Sequence, residues 1–384
     1  MTTPFACGMS RATELTRSGR LDEATALIQS LLQPQPAAGN PTTGRKVIEG
    51  DFTRLGDAPT PPPRRAARTF SPGLRSGLGE TLRNIAAGGM PRRGPPAPEP
   101  LDLPEGALFL SLTHSGRHGN RDYRLYVPAS RTDTPMPLIV MLHGCTQSPE
   151  DFAVGTGMNA LAEEFRCLVA WPAQPQGANV QKCWNWFRPE DQARGRGEPC
   201  LLAGIVHDIQ RNHPADPGRI YVAGLSAGGA AAAIMGAAYP DLFCAIGVHS
   251  GLPVGGAQDV PSAFAAMRGG STGKARSLPV PAIVFHGLAD ATVHPGNGEA
   301  VVEQALRAKP GAKSSSKTGT SAGGRTYRQT RHEDIDGRSI TEHWEIEGAG
   351  HAWSGGQPGG SYTDPAGPDA SREMMRFFQQ HRRA

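Results

Sequence analysis

The stretch 219–239, RIYVAGLSAGGAAAAIMGAAY, limits the folds open to this 384-residue chain more than any other part of it. Residues 220–223 form a short apolar run suited to a buried strand. Gly224-Leu225-Ser226-Ala227-Gly228 follows, a G-x-S-x-G, and then an alanine-rich run of high helix propensity. Strand, sharp turn and helix is the setting in which a serine hydroxyl is lifted clear of a sheet to act as a nucleophile, the glycines leaving room for the turn. The helix starts just after Ser226, so its N-terminal dipole favours the negative charge that develops in acyl transfer. The plainer reading is a glycine-rich turn with an incidental serine; the flanking strand and helix weigh against it.

The rest of the C-terminal part fits around that stretch. ALFLSL (107–112) and RDYRLYVP (121–128) read as two antiparallel strands near a sheet edge. PLIVMLH (137–143), CLVAWP (167–172), CAIGVHS (244–250) and PAIVFHG (281–287) are continuous apolar runs, as expected of strands covered on both faces. Helices are expected at about 155–166, 201–213, 296–308 and 370–382, a long loop at 173–200, and a Ser/Gly/Lys-rich loop at 309–325. Asp336-Gly337 marks the turn of a hairpin. Buried strands alternating with helices predict the α/β class, with a mainly parallel central sheet flanked by helices.

The N-terminal part is of another kind. Residues 1–33 read as a helical hairpin broken near Gly19, with Leu21, Ala24, Ile28, Leu31 and Leu32 at helical spacing. That face would dock on the body, on a second copy in self-association, or on polymer inclusions. Residues 34–104, with runs such as APTPPPRRAAR, read as a Pro/Gly/Arg-rich disordered linker, and 105–384 as the catalytic domain. A formal net charge of +4 is too slight to argue for nucleic acid. No run of about 18 apolar residues predicts a transmembrane helix. The first residues lack the apolar core of a secretory signal, which taken literally predicts a cytoplasmic chain, the alternative being a trimmed or misassigned start. Six cysteines occur without a C-x-x-C pair or zinc spacing, and neither a metal nor an organic cofactor is implied.

A serine hydroxyl needs a base, and the base an orienting acid. In the order serine, acid, histidine, Asp290 follows PAIVFHG just beyond the carboxyl end of a strand, where open sheets bind ligands. His351 sits in GAGHAWSGG, with glycines on both sides that let its ring reach the serine. His249, His286 and His294 precede or crowd Asp290 and fit local hydrogen bonding better. The oxyanion donors would be the backbone N–H groups of Ala227, after the nucleophile, and Cys145, in the loop His143-Gly144-Cys145-Thr146. Trp184, Trp186, Phe187 and Trp353 cluster near these motifs, either as a stacking face for a bulky ester or as ordinary core.

LHGCTQ (142–147), CWNWF (183–187), GLSAGG (224–229), HGLAD (286–290) and GHAWSGG (350–356), in this order, resemble the polyhydroxybutyrate depolymerase family of esterases over about residues 105–384. Feruloyl and acetylxylan esterases of the same α/β-hydrolase group look similar. The resemblance implies an α/β-hydrolase fold, a Ser226–Asp290–His351 triad, Cys145 at the oxyanion position and a Cys145–Cys183 disulfide pinning the aromatic loop. It implies a serine esterase acting on hydroxyalkanoate polyester or its oligomers. The rival readings are a feruloyl or acetylxylan esterase and a non-catalytic binding protein on the same scaffold.

Overall fold

The apolar runs become the middle of one ten-stranded sheet. The computed structural model describes residues 103–269 and 276–383, which fall within the unit Gly73–Ala384. The expected N-terminal hairpin and the linker up to residue 102 lie outside the described residues. The strands are β1 (Leu108–Gly116), β2 (Gly119–Val127), β3 (Met136–Leu142), β4 (Leu168–Pro172), β5 (Ala215–Leu225), β6 (Ala245–His249), β7 (Ala282–Gly287), β8 (Lys313–Thr320), β9 (Thr326–Glu333) and β10 (Ser339–Ile346). Their order is β1-β2-β4-β3-β5-β6-β7-β10-β9-β8. From β4 to β10 the neighbours run parallel; the β1–β2 and β8–β9 hairpins flank them antiparallel. The expected α/β class with a mainly parallel sheet is what forms.

Alternation along each strand feeds two cores. Leu138, Val140 and Leu142 of β3 join one, with Val222 of β5; Ile139 and Met141 join the other, with Tyr221 and Ala223. Helices α1 (Pro149–Thr156), α2 (Met158–Phe165) and α7 (Ala370–Phe378) cover the second. Helices α3 (Gly197–Asn212), α4 (Ala227–Ala238), α5 (Val260–Gly269) and α6 (Gly296–Arg307) cover the first. Both faces are therefore dry, which is why the central strands read as unbroken apolar runs. No described helix is long and apolar enough to cross a membrane.

Two expectations are corrected. The helix expected at 155–166 is two, because Gly157 takes φ 64° and ends α1 with a left-handed cap. The loop expected at 309–325 contains β8, a polar edge strand paired to β9, whose exposed Ser, Thr and Lys side chains carry no apolar signal. Helix α5 is unannounced by the sequence pattern, since Val260 and Phe264 are exposed and small alanines make its buried side. A pair of two-residue strands, β11 (Trp353–Ser354) and β12 (Thr363–Asp364), forms after His351.

Candidate active site

Ser226 joins β5 to α4 with φ 59° and ψ −119°, a conformation that side chains with a Cβ rarely adopt. Its N–H donates to His249 O (2.9 Å) and its carbonyl accepts from Ala230 N–H (3.0 Å), so the turn is fixed from both sides. The motif glycines are steric requirements. A Cβ on Gly228 would press into the carbonyl oxygens of Leu142 and His143, and one on Gly224 into the Gly228 backbone. Strand β3 and helix α4 can approach closely only because both positions are bare.

Asp290 and His351 stand beyond the same carboxyl edge of the sheet, after β7 and β10, which are parallel neighbours. The two turns are stitched together: Ala289 N–H donates to Ala349 O (3.0 Å) and Leu288 N–H to Ile346 O (2.9 Å). His351 Nδ1 donates to Asp290 Oδ2 at 2.7 Å. Asp290 Oδ1 accepts the N–H groups of Thr292 and Val293, each at 2.9 Å. His286 Nε2, which donates to Val293 O (2.9 Å), lies 3.4 Å from Oδ2. Burial alone would raise the Asp290 carboxyl; the hydrogen bonds from His286 and His351, the His351 charge and the Val293 amide outweigh it and hold the carboxyl far below the usual range. With an ionised acid on Nδ1–H, the lone pair of His351 resides on Nε2, the atom a general base needs.

The ring of His351 makes no hydrogen bond to Ser226 in this structure. Their segments are tied together through His249, at the end of β6. Its carbonyl takes the Ser226 N–H, and its Nε2 accepts Ser354 N–H at 2.9 Å, three residues past His351. Nε2 thus carries the lone pair and Nδ1 the proton, facing Ser250 Oγ at 3.1 Å. Burial pushes this ring down to about 3, so it stays neutral. It stacks on Trp353 with centroids 5.0 Å apart. The sequence reading left His249 as a locally satisfied histidine; no motif marks a role played by a carbonyl and a neutral ring.

The loop after β3 lies against the elbow at Ser226, so that a Cβ on Gly144 would stand 3.6 Å from Leu225 O. Ala227 is the first residue of α4, where an N–H has no intrahelical acceptor. Among the described residues the N–H of Cys145 also has no acceptor, whereas Gly144 N–H donates to Gln147 Oε1 (2.8 Å) and Thr146 N–H to Gln181 O (2.7 Å). Thr146, β-branched, is held at φ 70°. A disulfide joins Cys145 to Cys183 in the 173–200 segment.

The aromatic side chains are placed differently from the stacking face weighed above. Trp184, Trp186 and Trp353 are all buried and present no open face. Trp184 donates its indole N–H to His143 O (3.1 Å), and Trp353 donates to Ser371 Oγ (3.0 Å) while packing edge-on against Phe152. Large rings gain most by full burial once their N–H finds a partner, and both do. They brace the loops that carry Cys145 and His351.

The family model described as Esterase PHB depolymerase matches residues 121–331. The chain is 34% identical over 249 residues to a poly(3-hydroxyalkanoate) depolymerase C of Paucimonas lemoignei, covering 61% of this chain and 58% of that protein. It is 29% identical over 266 residues to a poly(3-hydroxybutyrate) depolymerase of Ralstonia pickettii, covering 63% and 53% respectively. It thus spans little more than half the length of these relatives. An acetyl xylan esterase from Aspergillus awamori shares the fold, with a TM-score of 0.56 at 20% identity over 71% of this chain and 99% of that one.

Proposed function

Because this chain belongs to the esterase PHB depolymerase family, we propose that it hydrolyses carboxylic esters through an acyl-enzyme on Ser226, with poly(3-hydroxybutyrate)-type polyester or its short oligomers as the substrate class. The observation that carries the reading is the 2.7 Å Asp290–His351 hydrogen bond at the sheet edge where Ser226 is displayed. The names of the two depolymerase relatives supply the substrate class.

His351 Nε2 takes the Ser226 hydroxyl proton as Oγ attacks the ester carbonyl. Asp290, anionic throughout, keeps the ring oriented and stabilises the imidazolium that forms. The N–H groups of Cys145 and Ala227 receive the tetrahedral oxyanion; donors fixed in advance of the charge need no reorganisation, and each is worth about 3 kcal/mol of barrier. The carbonyl re-forms, the alcohol leaves with the proton from His351, and water, deprotonated by the same ring, releases the acid.

Ser226→Ala is expected to abolish turnover of p-nitrophenyl butyrate while leaving the circular dichroism spectrum unchanged. Undiminished turnover in that variant would remove the mechanism. A panel of hydroxybutyrate oligomers, ethyl ferulate and acetylated xylan tests the substrate class: the oligomers should have the highest kcat/KM, and preference for either plant-type ester would replace the polyester reading.

A further inference from the structure

The segment between β4 and α3 closes on one buried carboxylate, and the closure reaches the oxyanion loop. Glu198 Oε2 accepts Asn185 N–H (2.8 Å), and Oε1 accepts Asn185 Nδ2 (2.7 Å) and Gln174 Nε2. Gln174 Nε2 also donates to Cys183 O (2.9 Å), and its Oε1 accepts from Arg121. The backbone N–H of Gln174 donates to His143 Nε2 at 3.1 Å. The proton of that ring therefore sits on Nδ1, which donates to Gly144 O at 2.7 Å. Burial pushes the His143 ring down to about 4, so this neutral tautomer persists at neutral pH.

Gly144 C=O and Cys145 N–H belong to one peptide unit, and no described peptide bond is cis. In a trans unit the two groups point in opposite directions, so holding the carbonyl aims the amide. We propose that Glu198 is a positioning residue for the oxyanion hole, acting through Gln174 and His143 to aim the Cys145 amide. The carboxylate bonds to Gln174 and Asn185 and to none of Ser226, Asp290, His351 or Cys145. Its partners are all donors, so only an acceptor-only group satisfies them; a carboxamide would turn its own N–H₂ against Asn185 or Gln174. The inference rests on the serine-esterase reading and adds to it the means by which the hole is kept in shape.

Glu198→Gln is expected to lower kcat on p-nitrophenyl butyrate by about 10- to 100-fold, with KM changed by no more than about threefold, the pattern of a contact made only in the transition state. Fluorophosphonate labelling of Ser226 should slow by the same factor. His143→Phe should show the same losses, and the double variant no further loss, because both act on one amide. Should Glu198→Gln fail to fold, Gln174→Leu cuts the same link while keeping the backbone N–H. A folded Glu198→Gln or Gln174→Leu protein with kcat and labelling within about twofold of wild type overturns the proposal, as does a double variant whose losses multiply. Labelling does not depend on the ester chosen. Wild type that labels at Ser226 but cleaves no ester on the panel would sink the substrate assignment alone; fast labelling of Glu198→Gln would sink this inference alone.

Discussion

Ser226 holds φ 59° and ψ −119° in a chain whose neighbours leave it no alternative, because its N–H and C=O are both engaged. Such a conformation costs on the order of 1–3 kcal/mol for a residue with a Cβ. Alanine keeps that cost and glycine removes it. Ser226→Gly is therefore expected to melt above Ser226→Ala, by several degrees at about 2–4 °C per kcal/mol for a domain of this size. Elsewhere the order is the reverse, since glycine loses more entropy on folding. Calorimetry on the two inactive proteins decides it: an alanine variant that melts higher would mean that the turn stores no strain.

The Cys145–Cys183 bridge acts at the scale of an element, closing 38 residues of chain across the oxyanion loop and the 173–200 segment. Loop-closure entropy alone gives about 4 kcal/mol for such a ring. Cys183→Ser should lower the urea midpoint accordingly and reduce kcat, because the Cys145 amide loses one of its restraints; a variant as stable and as active as wild type would show the bridge to be idle. The same region shows what a sequence does and does not reveal. Strands β3 to β7 were legible because burial on both faces forces apolar runs, and the candidate residues Ser226, Asp290 and His351 stood out because each lies in a short motif at a strand end. Strand β8 was not, since an edge exposed to water needs no apolar residue. Gly157 gave too little warning of a break, one glycine being tolerated inside many helices. His249, Glu198 and Gln174 carry their roles through backbone groups and through partners distant in sequence, a kind of information that no local pattern holds. The buried tryptophans were legible as a cluster but not as core, because composition alone does not tell a lining from a filling.

For the molecule as a whole, protons are the accessible probe. His143, His249 and His381 are pushed by burial to about 4, 3 and 4. Unfolded, each would titrate near 6.5. Between about pH 7 and pH 4 the unfolded chain therefore binds more protons than the native one at these sites, and their contribution to stability falls as pH falls. Glu198 and Asp191, raised by burial, oppose that trend. The histidine term is isolated by comparison: the unfolding free energy of His249→Gln should vary less steeply with pH around 5 than that of wild type, by about one proton or 1.4 kcal/mol per pH unit. Parallel curves from urea titrations at pH 5 and 6 would contradict it.

At one end of the sheet, β8 carries Lys313 and Lys317 among side chains that are nearly all exposed. A strand from a neighbouring molecule could add itself there only by stripping hydration from two ammonium groups. At that edge, crowded copies would on that account slide past one another instead of zipping strand to strand.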